Sequence, residues 1–226
     1  MNEAKPITQR LLAEFLGTFI FVFIGAGAVL SNDATNGGVG LLGIALAHGL
    51  ALVAVCFIFG SISGAHVNPA VTIAHWLIRK LSSVQALRYI VAQLAGATAA
   101  AALLRGIFPH ARAILALGTP QLGVDVGQWT GVLTETVLAF FLILVVLTIA
   151  DSQHESHSHA PLAIGFILTV AILIGGPVTG AALNPARAFG PALASGMWSH
   201  HLVYWIGPLL GALLAVLASR QLTKRP

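Results

Sequence analysis

The stretch GAALNPARAFGPAL, residues Gly180–Leu193, decides the fold of this chain. It places an asparagine, a proline and a permanent cation, Arg187, within one of the most apolar regions of the sequence. A related stretch occurs 116 residues earlier, since SGAHVNPA at Ser63–Ala70 aligns with TGAALNPA at Thr179–Ala186. Each Asn-Pro-Ala opens a short apolar segment, so the chain is best interpreted as two copies of one unit.

The composition excludes a water-soluble fold. Of 226 residues, 57% are hydrophobic and only 8% are charged, with a mean hydropathy of +0.91, whereas soluble domains carry about 25% charged residues. The chain is therefore predicted to be a polytopic membrane protein in which residues 1–226 form a single domain surrounded by membrane lipid. The eleven Lys and Arg are scattered, which indicates no nucleic-acid partner. The single cysteine, Cys56, allows neither an intramolecular disulfide nor a cysteine-based metal cluster and is interpreted as a packing residue.

Spanning a bilayer takes about 20 apolar residues in a helix. Six segments approach that length: Leu11–Leu30, Val39–Gly60, Val84–Leu104, Gln128–Ala150, Pro161–Gly176 and Leu202–Ser219. Two shorter apolar segments, Val67–Ile78 and Leu183–Ala194, read as re-entrant half-helices. The predicted fold class is an all-α membrane protein with six transmembrane helices and two half-helices.

The repeat extends beyond the Asn-Pro-Ala motifs. YIVAQLAGA at Tyr89–Ala97 aligns with YWIGPLLGA at Tyr204–Ala212, and AEFLGTF around Glu14 aligns with TETVLAF around Glu135. This defines a first repeat at about residues 8–105 and a second at about 128–220. Three spans per repeat is an odd number, so the second copy is inverted in the membrane. Inverted repeats place the functional site at the midplane, where the broken helices meet.

The positive-inside rule orients the chain. With both termini in the cytoplasm, eight cations lie inside and two, Arg105 and Arg112, lie outside, leaving Arg187 within the membrane. The eight are Lys5, Arg10, Arg79, Lys80, Arg88, Arg220, Lys224 and Arg225. Short termini favour the plasma or inner membrane over a vacuolar one.

A single Asn-Pro-Ala could be only a capped helix start, because Asn is a good N-cap and Pro suits the first helical position. Helix capping alone does not explain two symmetric copies of the motif inside membrane segments. We expect the Asn amides to donate hydrogen bonds at the centre of a pore, and the unpaired carbonyls of the approach segments to accept them along it. The motif residues are Asn68, Pro69, Ala70, Asn184, Pro185 and Ala186; the carbonyls are those of Gly64, Ala65, His66, Gly180, Ala181 and Ala182.

These motifs resemble those of the aquaporin (major intrinsic protein) family over nearly the whole chain. The resemblance implies a passive channel, not an enzyme, with no cofactor, no metal site, and one pore in each subunit of a homotetramer. It further implies a constriction near the external mouth, formed by His48, Ile172, Ala181 and Arg187. This set is similar to that of plant tonoplast aquaporins, which also pass ammonia.

The resemblance thus implies conduction of water and of small neutral solutes such as ammonia, hydrogen peroxide and urea, with exclusion of protons and ions. A glycerol facilitator is the alternative; that branch generally has Asp and Lys where this chain has Ala188 and Ala192. Because no cysteine lies in the implied constriction, we expect weak block by mercurials.

Several residues leave other functions open. Glu14 and Glu135 lie in equivalent helices and are predicted to hold the re-entrant loops by hydrogen bonds, although a buried acid could instead carry protons in an ion-coupled transporter. The loop Asp151–His159 holds three closely spaced histidines, which are typical of either a solvated loop or a metal-binding or pH-sensing segment. A membrane-embedded metalloenzyme that uses these histidines is the third alternative.

Overall fold

The computed structural model describes residues 5–109, 116–149 and 159–222. Within these ranges every regular element is an α-helix. The helices are α1 (Ile7–Ala34), α2 (Gly40–Ser63), α3 (Pro69–Leu77), α4 (Ser83–Ile107), α5 (Gln128–Ile149), α6 (Ala160–Thr179), α7 (Pro185–Ser195) and α8 (Val203–Leu222). Six of them, all except α3 and α7, are long and apolar enough to cross a membrane. The predicted fold class is confirmed: six spans and two half-helices.

The half-helices run to opposite sides of the bundle. Six crossings place the start of α1 and the end of α8 on one side, called here the terminal side. Arg220, in the last turn of α8, donates from Nη2 to the carbonyl of Leu77 at 3.1 Å, so α3 ends on the terminal side. Arg105, in the last turn of α4, donates from Nη1 to the carbonyl of Ala194 at 2.9 Å, so α7 ends on the far side. The N-termini of α3 and α7 therefore both lie within the bundle.

Close backbone contacts bring the long helices together. A Cβ built on Gly49 would lie 2.7 Å from the carbonyl oxygen of Gly165, and one built on Gly165 would lie 2.6 Å from that of Gly49. No side chain fits at such distances, so α2 and α6 cross glycine against glycine, a common way for membrane helices to approach closely. This crossing fixes the axial position of His48, the residue before Gly49.

The bundle buries several strongly polar side chains within a largely apolar interior, and its perimeter is apolar. Glu14, Gln93 and Glu135 are completely buried. Large aliphatic side chains are exposed on the outside, among them Leu12, Leu50, Leu87, Leu133, Ile174 and Leu202. Such a surface suits lipid acyl chains as its solvent, so this is an integral, multi-pass membrane protein.

The helix bounds differ from the predicted ones by at most four residues. One difference concerns a proline. The predicted end of the fifth span is Gly176, directly before Pro177. Instead α6 continues to Thr179 and closes on Gly180, which has a φ of 75°. Proline removes the hydrogen bond that its nitrogen would donate and crowds the carbonyl four residues earlier, but only two helical residues follow Pro177, so few helical bonds are affected.

Candidate functional site

Two buried carboxylates hold the segments that lead into the half-helices. The Oε1 and Oε2 atoms of Glu14 accept hydrogen bonds from the backbone N–H groups of His66–Val67, at 2.9 and 2.7 Å. Glu135 accepts from those of Ala182–Leu183 at the same two distances. The hydroxyls of Ser63 and Thr179 donate to Oε1 of Glu14 and Glu135 respectively, at 2.6 and 2.7 Å. Each acid thus ties one non-helical segment to a membrane-spanning helix.

These segments have an unusual backbone. Ala65 and Val67 have φ values of 47° and 42°, and their repeat equivalents Ala181 and Leu183 have 45° and 53°. A positive φ is costly for a residue with a side chain, above all for a β-branched one such as Val67. Among the described residues, no hydrogen bond uses the carbonyls of residues 64–66 or 180–182. The carboxylates therefore hold a strained backbone whose carbonyls remain available as acceptors.

Two tyrosines support the same segments. The hydroxyl of Tyr89 donates to the carbonyl of Ser63 at 3.0 Å, and that of Tyr204 donates to the carbonyl of Thr179 at 2.9 Å. These hydrogen bonds are not among the sequence-based predictions, although the repeat pairs Tyr89 with Tyr204. The occurrence of tyrosine at equivalent positions of both repeats is the sequence signal that could have predicted these hydrogen bonds.

The asparagines of the two motifs link the repeats at the centre. Asn68 donates from Nδ2 to the carbonyl of Leu183 at 3.0 Å, and Asn184 donates to that of Val67 at 2.8 Å. Each Oδ1 caps its own half-helix by accepting from the backbone N–H of Ala70 or Ala186, at 2.8 and 2.9 Å. An amide nitrogen carries two hydrogens, so one N–H of each asparagine remains for a further acceptor.

The symmetry is broken beside the acids. Gln93 donates from Nε2 to Oε2 of Glu14 at 2.8 Å and to the hydroxyl of Thr72 at 2.9 Å. The repeat equivalents of Gln93 and Thr72 are Pro208 and Ala188, which have no side-chain donor. Glu135 instead lies close enough to Arg187 for their charges to interact. A neutral amide therefore donates to the acid in the first repeat, whereas a cation lies near the acid in the second.

A cavity lies at the point where the repeats meet. It has a volume of about 60 Å³, and its wall includes Asn68, Asn184, Phe21 and Leu168. A water molecule needs about 10–15 Å³ of such volume, so the cavity can hold several. Its wall combines polar groups such as the two asparagines with apolar side chains such as Phe21 and Leu168, which suits water or small neutral molecules.

A wider vestibule of about 690 Å³ shares several lining residues with this cavity and includes Arg10, near the start of α1 on the terminal side. Arg10, Lys80, His66 and His75 contribute to its wall, which contains no carboxylate among the described residues. The rings of His66 and His75 stack with their centroids 4.2 Å apart. The terminal-side entrance is thus lined by cationic and imidazole groups.

Cys56 contributes to the walls of both spaces, between the vestibule and the asparagines. Cys56 thus packs against the hydrophobic core and also lines these two spaces, which argues against the weak mercurial block expected from the constriction alone. We predict that a mercurial lowers solute passage through the protein severalfold, because an adduct on this thiol narrows a space that holds only a few water molecules. Stopped-flow measurements with and without HgCl₂ test this prediction. Cys56→Ala should be insensitive to HgCl₂, and an equal response in that variant would contradict it.

The four residues implied as a constriction are all buried, with exposures of 2–3%. Arg187 lies close enough to His48 for its charge to act on the imidazole. A Cβ built on Gly175 of α6 would lie 3.1 Å from the Cβ of Ala181, and Ile172 lies one turn before Gly175 on that face. His48, Ile172, Ala181 and Arg187 lie outside the walls of the two cavities described.

Arg187 has a backbone partner that the sequence did not indicate. Its Nη1 donates to the carbonyl of Gly118 at 2.6 Å, in the connection between α4 and α5. Its Nε has no partner among the described residues. A guanidinium has five N–H donors, and the bond to Gly118 uses one of them. No periodic pattern marks Gly118, and nothing in the sequence predicts which loop carbonyl meets the cation.

The histidine-rich loop lies outside the described residues, except for His159, which directly precedes α6. The described part of the chain contains no group of three or more His, Cys, Asp or Glu side chains placed to hold a metal ion.

Comparison with known proteins gives a consistent result. Residues 2–219 match the model of the family described as "Major intrinsic protein". "Aquaporin TIP2-1" of Arabidopsis thaliana is 43% identical over 214 residues, covering 92% of this chain and 84% of the relative. "Lens fiber major intrinsic protein" of Gallus gallus is 43% identical over 216 residues, covering 95% and 81%. The crystal structure of the aquaglyceroporin from Plasmodium falciparum superposes with a TM-score of 0.81 at 25% identity, covering 96% of this chain and 98% of that one.

Proposed function

This chain belongs to the major intrinsic protein family, and from that premise we propose that it is a passive channel for water and small neutral solutes that excludes protons and ions. The observation that carries the proposal is the pair of asparagine amides that meet at the central cavity, each held by a carbonyl of the opposite repeat. The relatives named as aquaporins support this proposal over an enzyme or an ion-coupled transporter.

The geometry suggests how protons are excluded. The N-termini of α3 and α7 both point towards the centre, and each contributes a positive partial charge of about half a unit. The free amide N–H groups donate to the oxygen of a central water molecule, whose hydrogens then point away towards the carbonyls of residues 64–66 and 180–182. Water molecules on either side are oriented in opposite directions, so the hydrogen-bonded wire needed for proton hopping is interrupted.

We further propose that His48, Ile172, Ala181 and Arg187 form the selectivity filter. Ile172 makes one wall apolar and Ala181 leaves space beside Arg187, so the filter admits ammonia, hydrogen peroxide and urea at lower cost than a filter with polar side chains at both positions. The glycerol alternative is compatible with the aquaglyceroporin fold match. Ala188 and Ala192 disfavour it, because they lack the polar groups that the resemblance associates with glycerol transport.

Assembly, membrane and orientation are also proposals. We propose a homotetramer, as is typical of the family, with both termini in the cytoplasm as the distribution of cations predicts. Relatives of the tonoplast intrinsic protein (TIP) type, such as "Aquaporin TIP2-1", weigh against the plasma or inner membrane that the sequence analysis predicts. We therefore propose a membrane equivalent to the tonoplast.

Reconstitution into proteoliposomes tests the proposed function. We predict that stopped-flow light scattering will show faster water flux than in empty vesicles, with a low activation energy, because water crosses the bilayer through a preformed path. Vesicles challenged with ammonia, hydrogen peroxide, urea and glycerol establish the solute range, and glycerol should be the slowest. Water flux equal to that of empty vesicles would refute the channel; a dependence of solute flux on a proton or sodium gradient would indicate a transporter.

A further inference from the structure

The position of the His48 ring is defined by three contacts. Its Nδ1 lies 2.9 Å from the carbonyl oxygen of Ile44, one turn earlier in α2. Because a carbonyl can only accept, Nδ1 carries a proton and Nε2 in the neutral ring does not. Phe21 of α1 meets the ring edge-on, with the two centroids 5.8 Å apart. The imidazole is therefore oriented by α2 itself and packed against α1.

The third contact is with a glycine. A Cβ built on Gly25, one turn after Phe21 in α1, would overlap Cδ2 and Nε2 of His48 and would lie 3.0 Å from Cε1. No side chain at position 25 is compatible with this ring position. The Nε2 atom is buried in the recess without a hydrogen-bond partner among the described residues. The recess thus takes the Cδ2–Nε2 edge of the ring, so the contact between Gly25 and His48 is a steric one.

We propose that Gly25 is a specificity-determining residue: its missing side chain creates the recess that draws the His48 imidazole back against α1 and sets the width of the filter. The proposal rests on the proposed function, in which His48 borders the constriction. The backbone of α2 cannot retreat, because α2 is held against α6 at the crossing of Gly49 and Gly165. A side chain at position 25 therefore displaces the ring away from α1, towards Arg187.

The test is Gly25→Ala, compared with wild type in proteoliposomes at equal amounts of reconstituted protein. We expect water permeability to fall roughly tenfold, equivalent to about 1.4 kcal/mol of added barrier. Urea, which is wider than water, should be affected more, so the urea-to-water permeability ratio should also fall. Gly27→Ala is the matched control in the same helix, since a Cβ there would make only an ordinary contact, 3.4 Å from Leu104. It should behave as wild type.

A double variant identifies the route of the effect. Gly25→Ala combined with His48→Ala should have the water and urea permeabilities of His48→Ala alone, because no ring remains to be displaced. This comparison stays decisive if Gly25→Ala by itself does not accumulate as folded protein. Wild-type permeability in Gly25→Ala, or a double variant less permeable than His48→Ala, would overturn the proposal. Failure of the proposed function is distinguishable, because the wild type and Gly27→Ala would then conduct no better than empty vesicles.

Discussion

Glu135→Gln is expected to destabilise the folded protein by about 1–3 kcal/mol, the cost of leaving one buried polar group unpaired. The carboxylate offers an acceptor oxygen to each of the backbone N–H groups of Ala182–Leu183. An amide has only one oxygen, so one of these N–H groups faces an NH₂ group whichever way the amide is turned. The substitution changes the size of the side chain very little, so the loss can be attributed to the hydrogen bonds.

The measurement is the melting temperature of the detergent-purified protein, together with water permeability after reconstitution. A chain of this size loses about 2–4 °C per kcal/mol, and permeability should fall because the strained segment no longer holds its carbonyls in line. Asp125→Asn is the matched control, since it is also an acid-to-amide change but at an exposed position. Glu14→Gln should repeat the effect in the first repeat. An unchanged melting temperature in both glutamine variants would show that the carboxylates do not hold the segments.

The features of the fold that could be predicted from the sequence are those that involve long stretches of residues. Six apolar stretches of sufficient length can satisfy their backbone groups in a bilayer only as helices. The repeat then relates one half to the other, so that a residue such as Glu14 identifies its counterpart Glu135 without any structural information. Helix ends were less accurate, because the apolar stretches were bounded by hydropathy, whereas the helices continue beyond them, as α1 does to Ile7 and Ala34.

The contacts that could not be predicted depend on the rotation of each helix about its axis. α2 is apolar on all sides, so no hydrophobic periodicity shows which of its residues face the centre. Cys56 was therefore interpreted as a packing residue, and the approach of His48 to Gly25 was not foreseen. The carbonyl of Gly118 lies in an irregular connection, where the direction of a backbone group is determined by the whole fold. These contacts depend on how side chains of different helices and loops pack together, and the sequence pattern of a single segment does not contain that information.

Arg187→Val is expected to raise urea permeability severalfold and to produce a measurable proton or methylammonium leak, while water permeability changes little. The guanidinium is 2% exposed and is the one permanent charge among the four proposed filter residues. At 4 Å and an effective dielectric constant of 20, two unit charges interact by about 4 kcal/mol. Since about 1.4 kcal/mol changes a rate tenfold, removing even part of this repulsion makes cation entry detectable. The smaller valine also widens the path for neutral solutes.

Two further variants separate charge from size at this position. Arg187→Lys keeps the cation but loses the planar donor set that reaches Gly118, so it should retain proton exclusion and gain urea permeability. Arg105→Val is the matched control, because Arg105 also donates to a backbone carbonyl on the far side but is exposed and lies outside the proposed filter. Proton flux follows from an internal pH dye, and urea flux from light scattering on the same vesicles. If the urea and proton permeabilities of Arg187→Val equalled those of the wild type, the barrier would lie elsewhere, and the asparagine pair at the centre would have to account for all of the selectivity.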